Sequence, residues 1–293
     1  MANSNGWGDG SANNSIGWGQ GANNAIGWGD IHADSWAGLT DIVGVTTDPD
    51  AQAFITAAAI TDPTQQSAIN QLVVDLKGYS IWTKMKALYP FVGGTSTTHK
   101  YNLKDPQDTD AAFRLVFNGG WTHSSNGAKP NGTNAFADSK LNVNTSLLLN
   151  DASLSFYSRE DIFTAVLMGA GWDNQTTMIS PNFASGVGEF SAINSGGNGT
   201  GSVNKSGLFT ISRLNSTNVV GYRNGSQYFN RLADSTSKPN YNIYIGARSY
   251  NGATQYSSNQ CAFASIGDGL TDTEAANFYT AVQAFQTTLG RNV

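Results

Sequence analysis

Between about residues 91 and 269 the chain divides into short apolar or alternating segments separated by turns of Gly, Asn and Ser, and this pattern constrains the fold most strongly. The clearest pair is Asn218–Arg223 and 226–231, joined by Asn224-Gly225, the preferred residue pair of a type I′ hairpin turn. Many short strands with few helices predict an antiparallel β-sandwich or jelly roll. The other predicted strands cover residues 112–118, 147–149, 154–158, 162–168, 188–192, 207–214, 241–247 and 260–266.

The end of the chain predicts one amphipathic helix. Thr271 and Glu274 have the spacing of a capping box, and Gly290 is a helix stop. Between them one apolar stripe recurs at helical spacing, so we expect this helix to lie along the sandwich and cover part of a sheet. The stripe consists of Ala275, Phe278, Val282, Phe285 and Leu289.

Residues 48–90 have a helical pattern. Asp48-Pro49-Asp50 predicts the start of one short helix, and Thr61-Asp62-Pro63 predicts the start of a second that ends at Gly78. A third short helix is predicted over about residues 80–88, and Pro90 ends it. Its apolar side chains, interpreted as core contacts, are Ile81, Trp82, Met85 and Leu88.

The first 36 residues contain an internal repeat of Gly-Trp-Gly with Ala-Asn-Asn between the copies. Each Asn-Asn favours a turn, and each Ile-Gly-Trp-Gly favours a short extended piece. The segment has too little apolar mass to fold alone, so it is either a disordered tail or an anchor that orders when its Trp side chains enter pockets on a partner or on other copies. The candidate docking residues are Trp7, Trp18, Trp28, Ile16 and Ile26.

Charge and cysteine content exclude several classes of function. Charged residues are 13% of the chain and the net charge is −5, without a Lys/Arg cluster, so we expect no nucleic-acid binding. The single cysteine, Cys261, permits neither an internal disulfide nor a thiolate metal site. We find neither a signal-peptide pattern nor an apolar run long enough for a membrane span. The expectation is a protein made in a cytosol, without membrane insertion and without a cofactor.

The sequence does not favour an enzyme. A glycosidase needs two carboxylates facing the sugar, yet no Glu-x-Asp-x-x-Glu strand occurs, and Glu189 and Glu160 stand apart. No Gly-x-Ser-x-Gly nucleophile elbow is found, and the histidines lack metal-binding spacing. A chance Ser–His–Asp arrangement stays open. The three histidines are His32, His99 and His123.

Sugar binding without catalysis is the alternative function that the sequence leaves open. Aromatic faces beside amide side chains are what a pyranose ring needs, and five such side chains lie in or near predicted loops. The competing interpretation is that Trp121 and Trp172 fill the sandwich core. The candidate glycan-binding residues are Trp121, His123, Trp172, Tyr250 and Tyr256.

A group of acidic residues is a candidate Ca²⁺ site, because Ca²⁺ prefers oxygen ligands. The residues are Asp105, Asp108 and Asp110. Their spacing lacks the Gly and terminal Glu of an EF-hand loop, and the alternative is an ordinary role in turns and caps.

Several motifs resemble the closing half of laminin-G-like, concanavalin A-like jelly-roll domains. They are VVGYRNGSQYF at residues 219–229, NIYIGAR at 242–248 and AFASIGDGLTDTEAANFY at 262–279. Asn131-Gly132-Thr133-Asn134 resembles a turn near the start of such domains. The resemblance covers about residues 91–290 and implies a mainly β, laminin-G-like sandwich with a C-terminal helix.

The N-terminal repeat is similar to the openings of virion structural proteins of tailed bacteriophages, notably the crAss-like phages. The helical segment ahead of the sandwich and the closing residues 275–293 are similar to the same group. This resemblance implies a repeat arm at residues 1–47 that docks on the virion, a helical collar at 48–90 and a jelly-roll domain at 91–293.

The same resemblance implies a non-enzymatic virion component, synthesised in the host cytoplasm, such as a capsid decoration, head fibre or tail fibre protein. Its partners would be other capsid or tail proteins, with a host-surface glycan as a further ligand. Because phage appendages are commonly closed oligomers, we expect a homo-oligomer, with a trimer favoured. The alternatives are a lectin-like receptor-binding protein and a glycan hydrolase.

The repeat arm yields a test. Deletion of residues 1–30 should leave a folded sandwich that no longer joins the particle, and Trp18→Ala alone should weaken incorporation, since a buried Trp is typically worth about 2 kcal/mol or more at an interface. Quantitative immunoblotting of purified particles measures this. Incorporation of the truncated chain at the wild-type level would place attachment in the helical segment instead.

Overall fold

A computed structural model of the chain describes residues 47–162, 165–183, 187–194 and 204–293. The predicted docking residues Trp7, Trp18, Trp28, Ile16 and Ile26 lie outside the described residues, as does His32. Asp48–Val293 forms one compact unit, so residues 48–90 belong to the same unit as the sandwich. None of the helices within the described ranges is long and apolar enough to cross a membrane.

Three longer helices confirm the sequence signals at their starts. Helices α1 (Pro49–Ala57) and α2 (Pro63–Gly78) each begin with Pro after an Asp cap. The last helix (Asp272–Thr288, α5) begins with the predicted capping box of Thr271 and Glu274. Two single-turn helices, α3 (Ser96–His99) and α4 (Val143–Ser146), lie between α2 and α5 in the sequence.

The third helix predicted over about residues 80–88 is wrong. Trp82–Lys84 forms one 3₁₀ turn, and Met85–Tyr89 is strand β1, paired with the strand Cys261–Gly267. Leu88 packs towards the helices, whereas Ala87 and Tyr89 pack between the sheets. A strand buried on both faces carries apolar residues at consecutive positions, and these imitate helical spacing over so short a segment.

The described strands form two sheets. In chain order they are β1 Met85–Tyr89, β2 Val116–Asn118, β3 Trp121–Ser124, β4 Gly127–Pro130, β5 Phe136–Asn142, β6 Ala152–Ser158, β7 Met168–Trp172, β8 Gln175–Phe183, β9 Val187–Asn194, β10 Gly207–Arg213, β11 Asn218–Arg223, β12 Ser226–Leu232, β13 Asn242–Ile245, β14 Arg248–Ser249, β15 Ala253–Thr254 and β16 Cys261–Gly267.

The first sheet has the order β12-β11-β10-β6-β16-β4-β3, with β1 also beside β16. The second sheet contains β15-β14-β7-β13-β5-β2, and β8 joins β7 to β9. Nearly all pairings are antiparallel; β14 and β7 are parallel. The predicted fold class, a mainly β sandwich with a C-terminal helix, is confirmed.

Individual strands were predicted less well than the class. The hairpin β11–β12 is confirmed, with Asn224 and Gly225 both at positive φ. Strand β2 is shorter than predicted because Asp110–Ala112 forms a 3₁₀ turn and Phe113 is left-handed. Residues 147–149 contribute a single bridge instead of a strand. The strand predicted at 162–168 overlaps β7 only at Met168. The strands that were not predicted are β3, β4, β5, β8, β14 and β15.

The central strands of the first sheet are buried on both faces. One apolar core lies between the two sheets, and a second lies between the first sheet and the helices. Every residue of β6, β10 and β16 is buried as a result. Phe278 and Phe285 of α5 contact Phe263 of β16 edge-on, which confirms that the last helix covers a sheet.

The guanidinium of Arg291 is buried where the layers meet. Its nitrogens donate to the carbonyl oxygens of Pro90 (2.6 Å), Phe91 (2.8 Å) and Ala262 (2.9 Å). It also donates to the side chain of Gln286 and to the carbonyl of Ser125. Burial lowers the pKa of Arg291 to about 9, so the group stays charged at neutral pH.

Cys261 is fully buried at the start of β16. Burial raises the pKa of its thiol well above the ordinary value. The thiolate is the reactive form of cysteine. In the folded chain Cys261 is therefore unreactive, because reagents cannot reach its sulfur and because the thiol stays protonated.

The β11–β12 turn yields a test of the fold. A Cβ on Gly225 would lie 2.8 Å from Tyr279 Cβ and 3.2 Å from Ala276 Cα, at φ +73°. Gly225→Val should therefore lower the free energy of unfolding by a few kcal/mol, through backbone strain and a clash with α5. Urea denaturation measures the change.

Gly290→Val is the matched control. Gly290 has φ +64° with open space around its Cβ, so this variant carries the strain without the clash. A loss of stability no larger at Gly225 than at Gly290 would contradict the packing of the turn against α5.

Candidate functional site

Three aromatic side chains meet at the end of β7. The rings of Trp172 and Tyr250 stack with centroids 5.6 Å apart at 28°, and Tyr241 contacts Tyr250 edge-on at 5.7 Å. Trp172 is 45% exposed, while the two tyrosines are half-buried. We call Trp172, Tyr241 and Tyr250 the aromatic platform.

Glycine at position 171 gives the platform its backbone geometry. Gly171 has φ +87°, and a Cβ there would lie 1.8 Å from the carbonyl oxygen of Gln175. Trp172 pairs with Gln175 across a tight turn in which Asp173 is left-handed. The close approach of the two strands requires glycine just before the exposed tryptophan.

The Arg248 side chain packs against the ring of Trp172. Its guanidinium lies 4.2 Å from the Trp172 ring centre and donates to the carbonyl of Gly171 at 2.5 Å. It also donates to Gln255 Oε1 (3.2 Å) and Thr176 Oγ1 (3.3 Å). The side chain is 3% exposed, and burial lowers its pKa. Because it is buried and bonded to protein acceptors, Arg248 positions the indole and does not present a charge to solvent.

Amides and hydroxyls surround the platform. Asn251 accepts from the Tyr241 hydroxyl at 2.9 Å, and Gln175 donates to Ser237 Oγ at 2.6 Å. Asp173 and Asn174 in the adjoining turn are exposed. Such a rim can hydrogen-bond the hydroxyls of a ligand whose apolar face rests on the aromatic rings.

The structure separates the five predicted glycan-binding residues. Trp172 and Tyr250 come together in the platform, whereas Trp121 and His123 lie in β3 next to Phe117. Trp121 is half-buried against the inter-sheet core and donates its N–H to the carbonyl of Asn118 at 3.0 Å. The hydroxyl of the half-buried Tyr256 donates to the carbonyl of Ala253 at 2.8 Å.

The buried His99 and the half-buried His123 form an imidazole pair. Their Nδ1 atoms are 2.9 Å apart, and His99 is 1% exposed. Burial, together with repulsion from His123 in its protonated form and from Arg291, lowers the pKa of His99 to about 3. Burial also lowers the pKa of His123. Both rings are therefore neutral in the folded chain at neutral pH.

The candidate Ca²⁺ residues are engaged by cations and an amide. Asp108 contacts Lys100 (2.5 Å) and Arg114 (2.8 Å), and Asp110 contacts Arg114 (2.9 Å). Asp105 accepts from a glutamine amide. Throughout the described ranges, no three potential metal ligands lie close together.

The two glutamates weighed for catalysis occupy different surroundings. Glu189 is half-buried on β9, and burial raises its pKa against the opposing charges of Arg248 and Arg231. Glu160 contacts Lys129 at 2.5 Å and accepts from the backbone N–H of Gln260. The Glu160 carboxylate thus serves local contacts.

Two parts of the site were not predicted from the sequence. Tyr241 was assigned only to a predicted strand, and Arg248 only to the NIYIGAR motif, so neither was identified as a site residue. The stacked pair Phe136 and Tyr244 also went unnoticed. Alternation with buried neighbours could have shown that Tyr244 faces away from the core, because Ile243 and Ile245 flank it.

No protein-family profile and no curated protein sequence matches the chain. Similar solved structures include domain 4 of AbnA, a GH43 extracellular arabinanase from Geobacillus stearothermophilus, in complex with arabinotriose. Its identity is 16% and its TM-score 0.43, over 67% of this chain and 98% of that one.

Two further similar structures are longer than this chain. One is the botulinum neurotoxin serotype D binding domain, 12% identical with a TM-score of 0.42, over 69% of this chain and 51% of that one. The other is a mutant of Trypanosoma rangeli sialidase, 12% identical with a TM-score of 0.43, over 75% and 39%. The chain therefore spans about half of the first of these two proteins and 39% of the second. Similarities this low do not assign a function.

The imidazole pair yields a pH prediction. Because the pKa of His99 is about 3 in the folded chain and about 6.5 when unfolded, the unfolded state binds more protons between these values. Unfolding free energy should therefore fall with decreasing pH, by up to about 1.4 kcal/mol per pH unit from His99. His99→Gln should flatten this dependence between pH 6 and pH 4, measured by urea denaturation. Parallel curves for variant and wild type would contradict the assignment.

Proposed function

We propose that the chain is a non-enzymatic structural component of a phage virion whose sandwich binds a host-surface glycan at the aromatic platform. The observation that carries the glycan-binding part is Trp172, exposed at 45% on a buried guanidinium that fixes it. The virion part is supported by the resemblance of the N-terminal Gly-Trp-Gly repeat, through which the chain docks on capsid or tail proteins as a homo-oligomer.

Rigidity favours the platform as a binding site. A large side chain that is ordered before binding loses little conformational freedom when a ligand covers it. Arg248 orders Trp172 through the stack on the indole and through its bonds to Gly171, Thr176 and Gln255. An exposed indole held in this way is suited to the apolar face of a sugar ring.

The surroundings of the platform favour binding without cleavage. Retaining and inverting glycosidases place two carboxyl groups on either side of the scissile bond. The described contacts of Trp172 and Tyr250 are to aromatic rings and to the Arg248 guanidinium. The platform therefore offers stacking and hydrogen bonding instead of an acid and base pair.

Binding of the full chain to a glycan array tests the proposal. Trp172→Ala should reduce apparent affinity at least tenfold, because a central aromatic contact is typically worth about 2 kcal/mol. Tyr79→Ala is the control, since Tyr79 is a 37% exposed aromatic residue at the end of α2. Unchanged binding by Trp172→Ala, or a folded wild-type chain that binds no glycan, would overturn the glycan-binding part.

Antibody labelling of intact particles tests the virion part independently. Label on the capsid or on the tail supports the proposal and decides between a head and a tail component. Purified particles that carry no label and contain no copy of the chain would overturn it.

A further inference from the structure

A second aromatic stack lies on the outer face of the second sheet. Phe136 of β5 and Tyr244 of β13 stack with centroids 4.6 Å apart at 25°. Their strand neighbours Ala137, Ile243 and Ile245 point into the core between the sheets. Since side chains alternate along a strand, Phe136 and Tyr244 face away from that core, and both are half-buried at the surface.

This stack and the aromatic platform share one face of the sheet. Tyr244 and Arg248 both pair with Gly169 of β7, so their side chains leave the sheet on the same side. Trp172 is three residues beyond Gly169, an odd spacing that regular alternation would send to the other face. The positive φ of Gly171 interrupts the strand, and the Trp172 ring lies over the Arg248 guanidinium. Three residues of a strand correspond to about 10 Å, which is longer than one pyranose ring.

Polar side chains lie on both sides of Tyr244. The Tyr244 hydroxyl hydrogen-bonds the side chain of Ser249, the residue just before Tyr250. On the other side of Tyr244, Asn242 donates to Asp138 at 3.1 Å. Ser249 therefore links Tyr244 to the platform, and Asn242 and Asp138 lie beyond Tyr244.

The cations on this face are engaged within the protein. Lys140 Nζ lies 3.3 Å from Asp138, and Arg248 is buried and donates to three neutral protein acceptors. Asp173 is exposed beside Trp172. An anionic sugar would meet this carboxylate without gaining a free cation from Lys140 or Arg248, so the face favours an uncharged ligand.

We infer that the glycan site extends across the outer face of the second sheet and takes a linear, neutral oligosaccharide that reaches from Trp172 to Tyr244. The inference rests on the proposed glycan binding at the platform. It adds a second aromatic position and a ligand class: uncharged sugars of several units.

Calorimetric titration of the full chain with manno-, malto- and cello-oligosaccharides of one to six units tests the inference. Wild-type affinity for one of these series should rise with length and then level off. Tyr244→Ala should leave the affinity for the shortest ligands unchanged and remove about a tenfold gain for the longest. Trp172→Ala should weaken binding at every length, and Tyr79→Ala at none.

The outcomes separate the two proposals. Equal effects of Tyr244→Ala at all lengths, or no effect at any, would overturn the extended site while leaving the platform in place. Tighter binding of sialylated or sulfated glycans on the array than of neutral ones would overturn the neutral ligand class. Unchanged binding by Trp172→Ala would overturn glycan binding at the platform itself. If Tyr244→Ala does not fold by circular dichroism, Phe136→Leu replaces it with the same expected pattern.

Discussion

The buried guanidinium of Arg291 joins parts of the chain that are about 200 residues apart in sequence. It binds carbonyl groups where β1 ends, in β16 and between β3 and β4, and it contacts Gln286 of α5. The bonds to Pro90 and Phe91 are buried, and leaving a buried acceptor unsatisfied costs about 1–3 kcal/mol. The helical layer, the first sheet and the end of the chain are therefore fixed to one another at a single side chain.

Burial of the central strands of the first sheet on both faces limits how much of the fold can be predicted from the sequence. Short-range signals worked where local chemistry decides: the caps of α1, α2 and α5 and the Asn224-Gly225 turn. They failed at β1, where burial on both faces imitates helical spacing. They also failed at β3, β4 and β5, where polar residues such as His123 and Asp138 interrupt the apolar alternation.

The candidate site was predicted in part, for a similar reason. Composition identified Trp172 and Tyr250, because exposed aromatics among amides are visible in a sequence. The same argument grouped them with Trp121 and His123. Composition does not show which aromatic residues lie close together, because that depends on the pairing of strands that are distant in sequence. Arg248 became recognisable only once β14 was placed beside β7, which brings its guanidinium under the indole.

The position of Cys261 has a practical consequence. The chain contains one cysteine, and it is fully buried with a raised thiol pKa. A cysteine introduced at an open position such as Leu232, which is 84% exposed, would therefore carry a fluorophore or a spin label selectively under native conditions. Because Cys261 does not react with the reagent in the folded chain, distances from a label to a bound sugar could be measured without first replacing the natural cysteine.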